Sequence, residues 1–293
     1  MPHRRITCLN EDNISCTFTS GFDPWLLENC EGIYETQNDV RTSENTMTDG
    51  STFQSSQTKM RNIVLTLRDR PESDHQANRK LLYNLFKPKS AGVFTYEEDS
   101  TIRQIEYYVE SVTIDSVPRS RRATVSLLCP DPFFTEPEEL SVQMAGWVGA
   151  FEFEHEFSSA GEEFGYRVSS RLNAIENESA ADYIGITVVI EAMGPASSPT
   201  ITHVEQGESI SIGTASNPLS LETGDKVIIT THTNNKHVYL VHSGEQTEIN
   251  EYLSEDSEFI QLMRGTNTIG YSALSGENYL SVTISYRYRY LGV

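Results

Sequence analysis

Residues 41–67, RTSENTMTDGSTFQSSQTKMRNIVLTL, constrain the chain more than any other stretch, because they spell a long hairpin with too little apolar surface to fold alone. Asp49-Gly50 is a hairpin-turn dipeptide, since a tight turn needs positive φ and glycine supplies it without steric cost. Around that turn lie Arg41, Thr42, Ser43, Glu44, Ser51, Thr52, Phe53, Gln54, Ser55 and Ser56, with Met47 and Phe53 the only large apolar side chains before Met60. A two-stranded polar ribbon does not bury enough to offset the entropy of ordering it. The expectation is that about residues 41–60 form an arm that pairs with another copy of the chain.

The rest of the 293 residues read as mostly β. Val, Ile, Thr, Tyr and Phe recur between Gly, Pro, Asn and Asp clusters, and an apolar content of 37% with 10% aromatics is that of a globular protein. Ile63–Leu67 reads as a strand buried on both faces. One helix is expected at about 74–86: Ser73 and Gln76 fit a capping box, Ala77, Leu81, Leu82, Leu85 and Phe86 make one apolar stripe, and Pro88 ends it. The segment 130–139, PDPFFTEPEE, holds three prolines and four acids and reads as unable to continue a ladder. A domain boundary is placed there, giving an N-terminal domain at 1–135, a linker at 136–150 and a second domain at 151–293.

In the second half, Phe151–Phe157 alternates aromatic or His with Glu, the pattern of a half-buried strand. Further strands are expected at 183–192, 209–212, 226–233, 237–242, 258–262, 267–272 and 279–290, which together suggest a jelly-roll or sandwich. Tyr286, Tyr288 and Tyr290 alternate with Arg287 and Arg289, so the last strand reads either as an interface for an acidic partner surface or as an ordinary edge strand.

Charge narrows the function classes. Residues 1–135 hold 15 Lys/Arg against 19 Asp/Glu, and residues 136–293 hold 7 against 23. An acidic surface of that kind excludes a phosphate grip in the second half, so no specific nucleic-acid binding is expected. No membrane association is expected either, because the longest β-branched run, Ile184–Ile190, is far too short to span a bilayer. Cys8, Cys16, Cys30 and Cys129 show no C-x-x-C spacing and read as reduced thiols. His232, His237 and His242 sit at spacings that put His237 on the opposite strand face, so no metal is assigned to them. No nucleophile elbow, phosphate-binding loop or H-E-x-x-H occurs, and neither an enzymatic activity nor a cofactor is expected.

Several segments in order carry a family resemblance: Val40–Glu44 with Asp49–Ser56, Arg61–Leu67, Arg79–Pro88, Tyr108–Ser111, Leu127–Phe134, and, near the end, Phe259–Leu262, Gly265–Ile269 and Tyr290–Val293. With these residues the chain resembles the siphophage distal tail proteins (Dit), baseplate hub subunits of phages of Gram-positive bacteria. The resemblance implies an N-terminal β-sandwich ring domain with one helix and a belt hairpin, followed by a galectin-like β-sandwich whose terminal strand returns to the ring domain. Tyr288 stands where the family's closing motif has proline. It further implies a hexameric ring in the virion tail tip, assembled in the host cytoplasm, through which DNA exits. The partners implied are other copies of itself, the tail tube protein, the tail-associated hub or lysin protein, and receptor-binding or other baseplate proteins. The alternative is a carbohydrate-binding adhesion module acting through 136–293, for which Trp25 and Trp147 are the only tryptophans.

Overall fold

The computed structural model describes residues 4–21, 24–44, 49–70, 74–115, 121–149, 165–169 and 172–293. These fall into two compact units, Met1–Pro137 with Arg289–Val293, and Glu138–Tyr288. The first holds β1 (Arg5–Asn10), β2 (Ser15–Thr19), β3 (Trp25–Glu31), β4 (Asn38–Glu44), β5 (Ser51–Thr58) and β6 (Arg61–Asp69). The helix α1 (His75–Leu85), β7 (Ala91–Glu98), β8 (Thr101–Ile114), β9 (Arg122–Cys129) and β10 (Phe134–Thr135) follow.

The main sheet of this unit closes on itself. Its strands run β8-β7-β1-β2-β3-β6-β9, and β9 pairs again with β8. Closure is possible because β8 is 14 residues long and carries a bulge between Val109 and Ser111. Its first half pairs with β7 through the two-residue turn at Asp99-Ser100, and its second half pairs with β9. A bulge bends a strand and raises its twist, and a closed sheet leaves no edge to template aggregation.

Alternation fills the interior. On β6, Ile63, Leu65 and Leu67 are fully buried while Val64 and Thr66 are only half-buried, so this strand has one core face rather than the two expected. Phe18, Trp25, Phe94, Tyr96 and Tyr107 join them, and the four cysteines lie buried in the same core as free thiols. Full burial of a large apolar side chain is worth about 1.5–3 kcal/mol. Burial also pushes the Cys30 and Cys129 thiols up to about 12, which keeps them protonated and unreactive.

The helix lays Leu82, Leu85 and Phe86 against this core, while Ala77 is exposed. Its N-cap is Asp74, one residue after the serine expected to cap it; Ser73 lies outside the described residues. The Asp74 carboxylate accepts from the backbone N–H groups of Gln76 (3.0 Å) and Ala77 (3.2 Å), satisfying two donors the helix leaves orphaned. Behind the cap, the buried Asp69 accepts from Asn78 Nδ2 at 2.7 Å and lies 2.5 Å from His75 Nδ1, fixing the first turn to the end of β6. An Asp74→Ala variant is expected to lose about 1 kcal/mol of stability, read as a lower midpoint in urea with an unchanged slope.

The second unit holds β11 (Leu140–Gly149), β12 (Gly165–Ser169), β13 (Leu172–Asn177), β14 (Tyr183–Ala192), β15 (Ala196–His203), β16 (Glu208–Ser211) and β17 (Ser220–Leu221). It continues with β18 (Lys226–His232), β19 (Asn235–His242), β20 (Glu245–Glu248), β21 (Gln261–Met263), β22 (Gly265–Ser275) and β23 (Leu280–Tyr286). One sheet runs β12-β11-β23-β14-β18-β19-β20, with β21 also on β14; the other runs β13-β22-β15-β16, with β17 on β15. Ile184, Ile186, Val188 and Ile190 bury every second residue of β14, and Ile201, Ile269 and Tyr271 do the same for the other sheet. This is the alternation of a two-sheet sandwich.

Residues 140–149, expected within a linker, form β11, which pairs with β23 and β12. The Phe151–Phe157 alternation lies outside the described residues. The segment 130–139 also differs from expectation, since Phe134-Thr135 form a short strand on β8. The expected strand 279–290 breaks after Tyr286. It resumes as β24 (Arg289–Tyr290), which pairs with β10 in the first unit.

Candidate assembly surface

The arm forms as a hairpin separate from the barrel. Strands β4 and β5 pair only with each other among the described residues, in the register Asn38↔Thr58, Val40↔Ser56, Arg41↔Ser55, Thr42↔Phe53 and Glu44↔Ser51. Between Arg41 and Thr42 the register shifts, leaving Gln54 as the extra residue of a bulge. Gly50 takes φ +98° at the turn, in open space.

Every residue expected at the interface is in place on this ribbon. Arg41, Thr42, Ser43 and Glu44 lie on β4, Asp49 and Gly50 in the turn, and Ser51, Thr52, Phe53, Gln54, Ser55 and Ser56 on β5. All but the half-buried Ser43 are exposed. Val40 is 55% and Phe53 62% exposed, and Met60 at the base is 59% exposed. The ribbon therefore presents two outer backbone edges, unpaired among the described residues, and the exposed side chains of Val40, Phe53 and Met60.

The base of the ribbon is held firmly. Lys59 N–H donates to Gln37 O at 2.7 Å, closing the hairpin, and beside it Arg61 is 5% exposed. Its guanidinium donates to four backbone carbonyls: Pro132 O from Nε (2.9 Å), Gly32 O (2.5 Å) and Glu35 O (2.7 Å) from Nη1, and Leu291 O (2.5 Å) from Nη2. The cation also stands 4.9 Å from the centre of the Phe134 ring. Burial draws its pKa below the usual arginine value, yet arginine remains protonated at any working pH. Gly32, with φ +85°, is required here, since a Cβ would stand 2.0 Å from Asn62 O.

The C-terminal residues join the same junction. Arg289 pairs with Asp131 and stands 4.4 Å over the Phe133 ring. Tyr290 lies under the Arg103 guanidinium at 3.7 Å, and its hydroxyl donates to Glu136 at 2.8 Å. Arg287 meets Glu139 at 3.4 Å, and the Tyr288 hydroxyl donates to Glu176 O. The run expected to carry one aromatic and one cationic face is instead divided between the two units, and its arginines are engaged within the chain.

The histidines take separate partners: His232 Nε2 contacts Thr187 Oγ1 at 3.1 Å, His237 Nδ1 contacts Glu248 at 2.6 Å, and His242 Nδ1 contacts Asp225 at 2.7 Å. Among the described residues no group of three metal-ligating side chains comes together. No helix there is long and apolar enough to cross a membrane.

A closed barrel with a detached hairpin, followed by a sandwich, defines the class. Residues 21–129 match the phage tail protein RIFT-related domain, and residues 182–290 match the C-terminal domain of the siphovirus-type tail component. The chain belongs to the siphophage distal tail protein (Dit) family and is a structural component of the phage tail. Its fold is similar to the crystal structure of the Dit protein of phage SPP1, with a TM-score of 0.68 at 11% identity over 97% of this chain and 98% of that one. It is also similar to chains of the phage P2 baseplate in its activated conformation, with TM-scores of 0.56 (with Ca) and 0.55 (with Sr) at 9% identity over the full length of both chains. No curated protein sequence matches it.

Proposed function

We propose that this chain is a non-enzymatic hub subunit, six copies of which close a ring between the tail tube and the tail-tip protein, leaving a channel for the genome. The observation that carries this reading is the exposed β4–β5 ribbon, a preformed two-stranded sheet to which no third strand pairs among the described residues. Each subunit extends Arg41–Glu44 and Asp49–Ser56 to its neighbour, where backbone pairing and the burial of Val40 and Phe53 complete the sheet. The contact is heterologous, so successive copies either close into a ring or grow into a filament. One face of the ring meets the tube protein and the other meets the tail-associated hub protein, with assembly in the host cytoplasm before incorporation into the virion.

Light scattering on the purified chain, alone and co-expressed with its tail-tip partner, tests this. A particle of six times the 32.9 kDa protomer mass is the expected result. A chain that stays monomeric in both settings at high concentration contradicts it.

A further inference from the structure

Asp49-Gly50, at the end of the loop that joins β4 to β5, is the one place in the 293 residues where an aspartate or an asparagine precedes glycine. Both residues are exposed, and a Cβ placed on Gly50 would meet nothing within 4 Å. Gly50 takes φ +98°, a region glycine enters and leaves without steric cost. No described residue bonds the Asp49 carboxylate or the Gly50 N–H, and the ladder begins only at Ser51↔Glu44.

These conditions suit a reaction within the backbone itself. The Gly50 amide nitrogen attacks Asp49 Cγ, an N–Cγ bond forms, and a carboxyl oxygen leaves as water with the amide proton, closing a five-membered succinimide. Tethering gives the two groups a high effective concentration, provided the chain is free to bring them together. A side chain on residue 50 would crowd the attack, and glycine has none. Asp99-Ser100 in the β7–β8 turn is also exposed, but there the serine Cβ stands beside the attacking nitrogen. Water then adds to either succinimide carbonyl. Addition at Cγ restores aspartate. Addition at the main-chain carbonyl carbon breaks its bond to the Gly50 nitrogen, so the chain runs on through Cβ and Cγ and the old main-chain carbonyl becomes a free carboxylate. One water leaves and one enters, no electron is transferred, and mass and charge are unchanged.

We infer that Asp49 is a site of spontaneous isomerisation to isoaspartate, open in the free protomer. The product lengthens the main chain by one atom just before Ser51, so the loop no longer delivers Ser51 opposite Glu44 and the tip of the β4–β5 ladder opens. Its effect on assembly rests on the arm's proposed role. A protomer left unassembled loses the order of its arm tip with time, whereas an arm seated on a neighbour holds the loop still and the ring closure slows.

Full-length protomer held for weeks at neutral pH, digested with trypsin and mapped by liquid chromatography with mass spectrometry, tests the assignment. Peptide 42–59 is expected to split into two species of identical mass, told apart by fragmentation across residue 49, while peptide 90–103, which carries Asp99, stays single. Asp49→Asn keeps a residue that suits the same loop and reacts roughly tenfold faster with loss of ammonia, a barrier about 1.4 kcal/mol lower. Asp49→Glu, which would have to close a larger ring, leaves peptide 42–59 single. A wild-type peptide 42–59 still single when the Asp49→Asn chain is fully converted, or isoaspartate at Asp99 in equal amount, overturns the assignment. Sizing of the aged protein is expected to find isoaspartate enriched in the unassembled fraction, and an even split between fractions overturns the effect on assembly. The peptide map is read on the protomer, so it stands or falls apart from light scattering on the ring.

Discussion

Replacing Arg61 by alanine is expected to cost the N-terminal unit about 3–5 kcal/mol, enough to unfold most of a marginal domain. The side chain binds the carbonyls of Gly32, Glu35, Pro132 and Leu291 at once, and alanine leaves these partly buried acceptors without a donor. Arg61→Lys keeps the charge but loses the planar fork, so most of the loss remains. Because Leu291 belongs to the segment that returns from the second unit, deleting Arg289–Val293 removes part of the same junction. The two changes are therefore expected to be less than additive, as coupled sites are. Urea unfolding followed by fluorescence of the buried Trp25 reads both effects. Full additivity would mean that Arg61 does not act through the C-terminal strand.

The second large effect is expected from the arm itself, and its sign differs between two observables. Gln37 O and Lys59 N–H are already hydrogen-bonded, so Asn38–Thr58 can be replaced by a short Gly-Ser turn without moving the barrel. Such a chain is expected to keep its stability within about 0.5 kcal/mol, because the ribbon shares no sheet with the barrel. Assembly, in contrast, is expected to be lost outright. A Val40→Asp, Phe53→Asp double variant places two charges on the surface that the proposed ring buries and is expected to weaken the oligomer strongly with the hairpin intact. An arm that mattered only for folding would give the opposite pattern, with stability falling and assembly intact.

What the sequence made legible follows from how local each signal is. The hairpin was readable because Asp49-Gly50 marks its turn and its flanking residues are polar on both faces. The strand at Tyr183–Ala192 was readable to the residue, since Ile184, Ile186, Val188 and Ile190 alternate without interruption. The helix was readable from its stripe, but its cap shifted to Asp74 because that carboxylate reaches the Gln76 and Ala77 amides. Closure of the barrel was not readable: period-2 alternation tells which face of a strand is buried and says nothing about its partner, so the double pairing of β8 left no local mark. Strands β13 and β15 also escaped; the latter carries a proline at 199 and Ser198 at φ +47° inside the strand, neither a strand signal. Trp25, one of the two tryptophans, is fully buried in the barrel core. The arm needed only neighbouring residues to be recognised, whereas closure of the barrel needed the fold.

Hydrogen exchange of the backbone amides in β4 and β5, compared between isolated protomers and assembled particles, bears most directly on the arm's role. Fast exchange of the outward-pointing amides of Val40–Glu44 and Ser51–Gln57, those not bonded between β4 and β5, in the protomer, turning to strong protection once the particle forms, is the predicted result. Outward-pointing amides already protected in the protomer, or an assembled particle in which they still exchange fast, would contradict the claim that this ribbon is completed by a neighbouring copy.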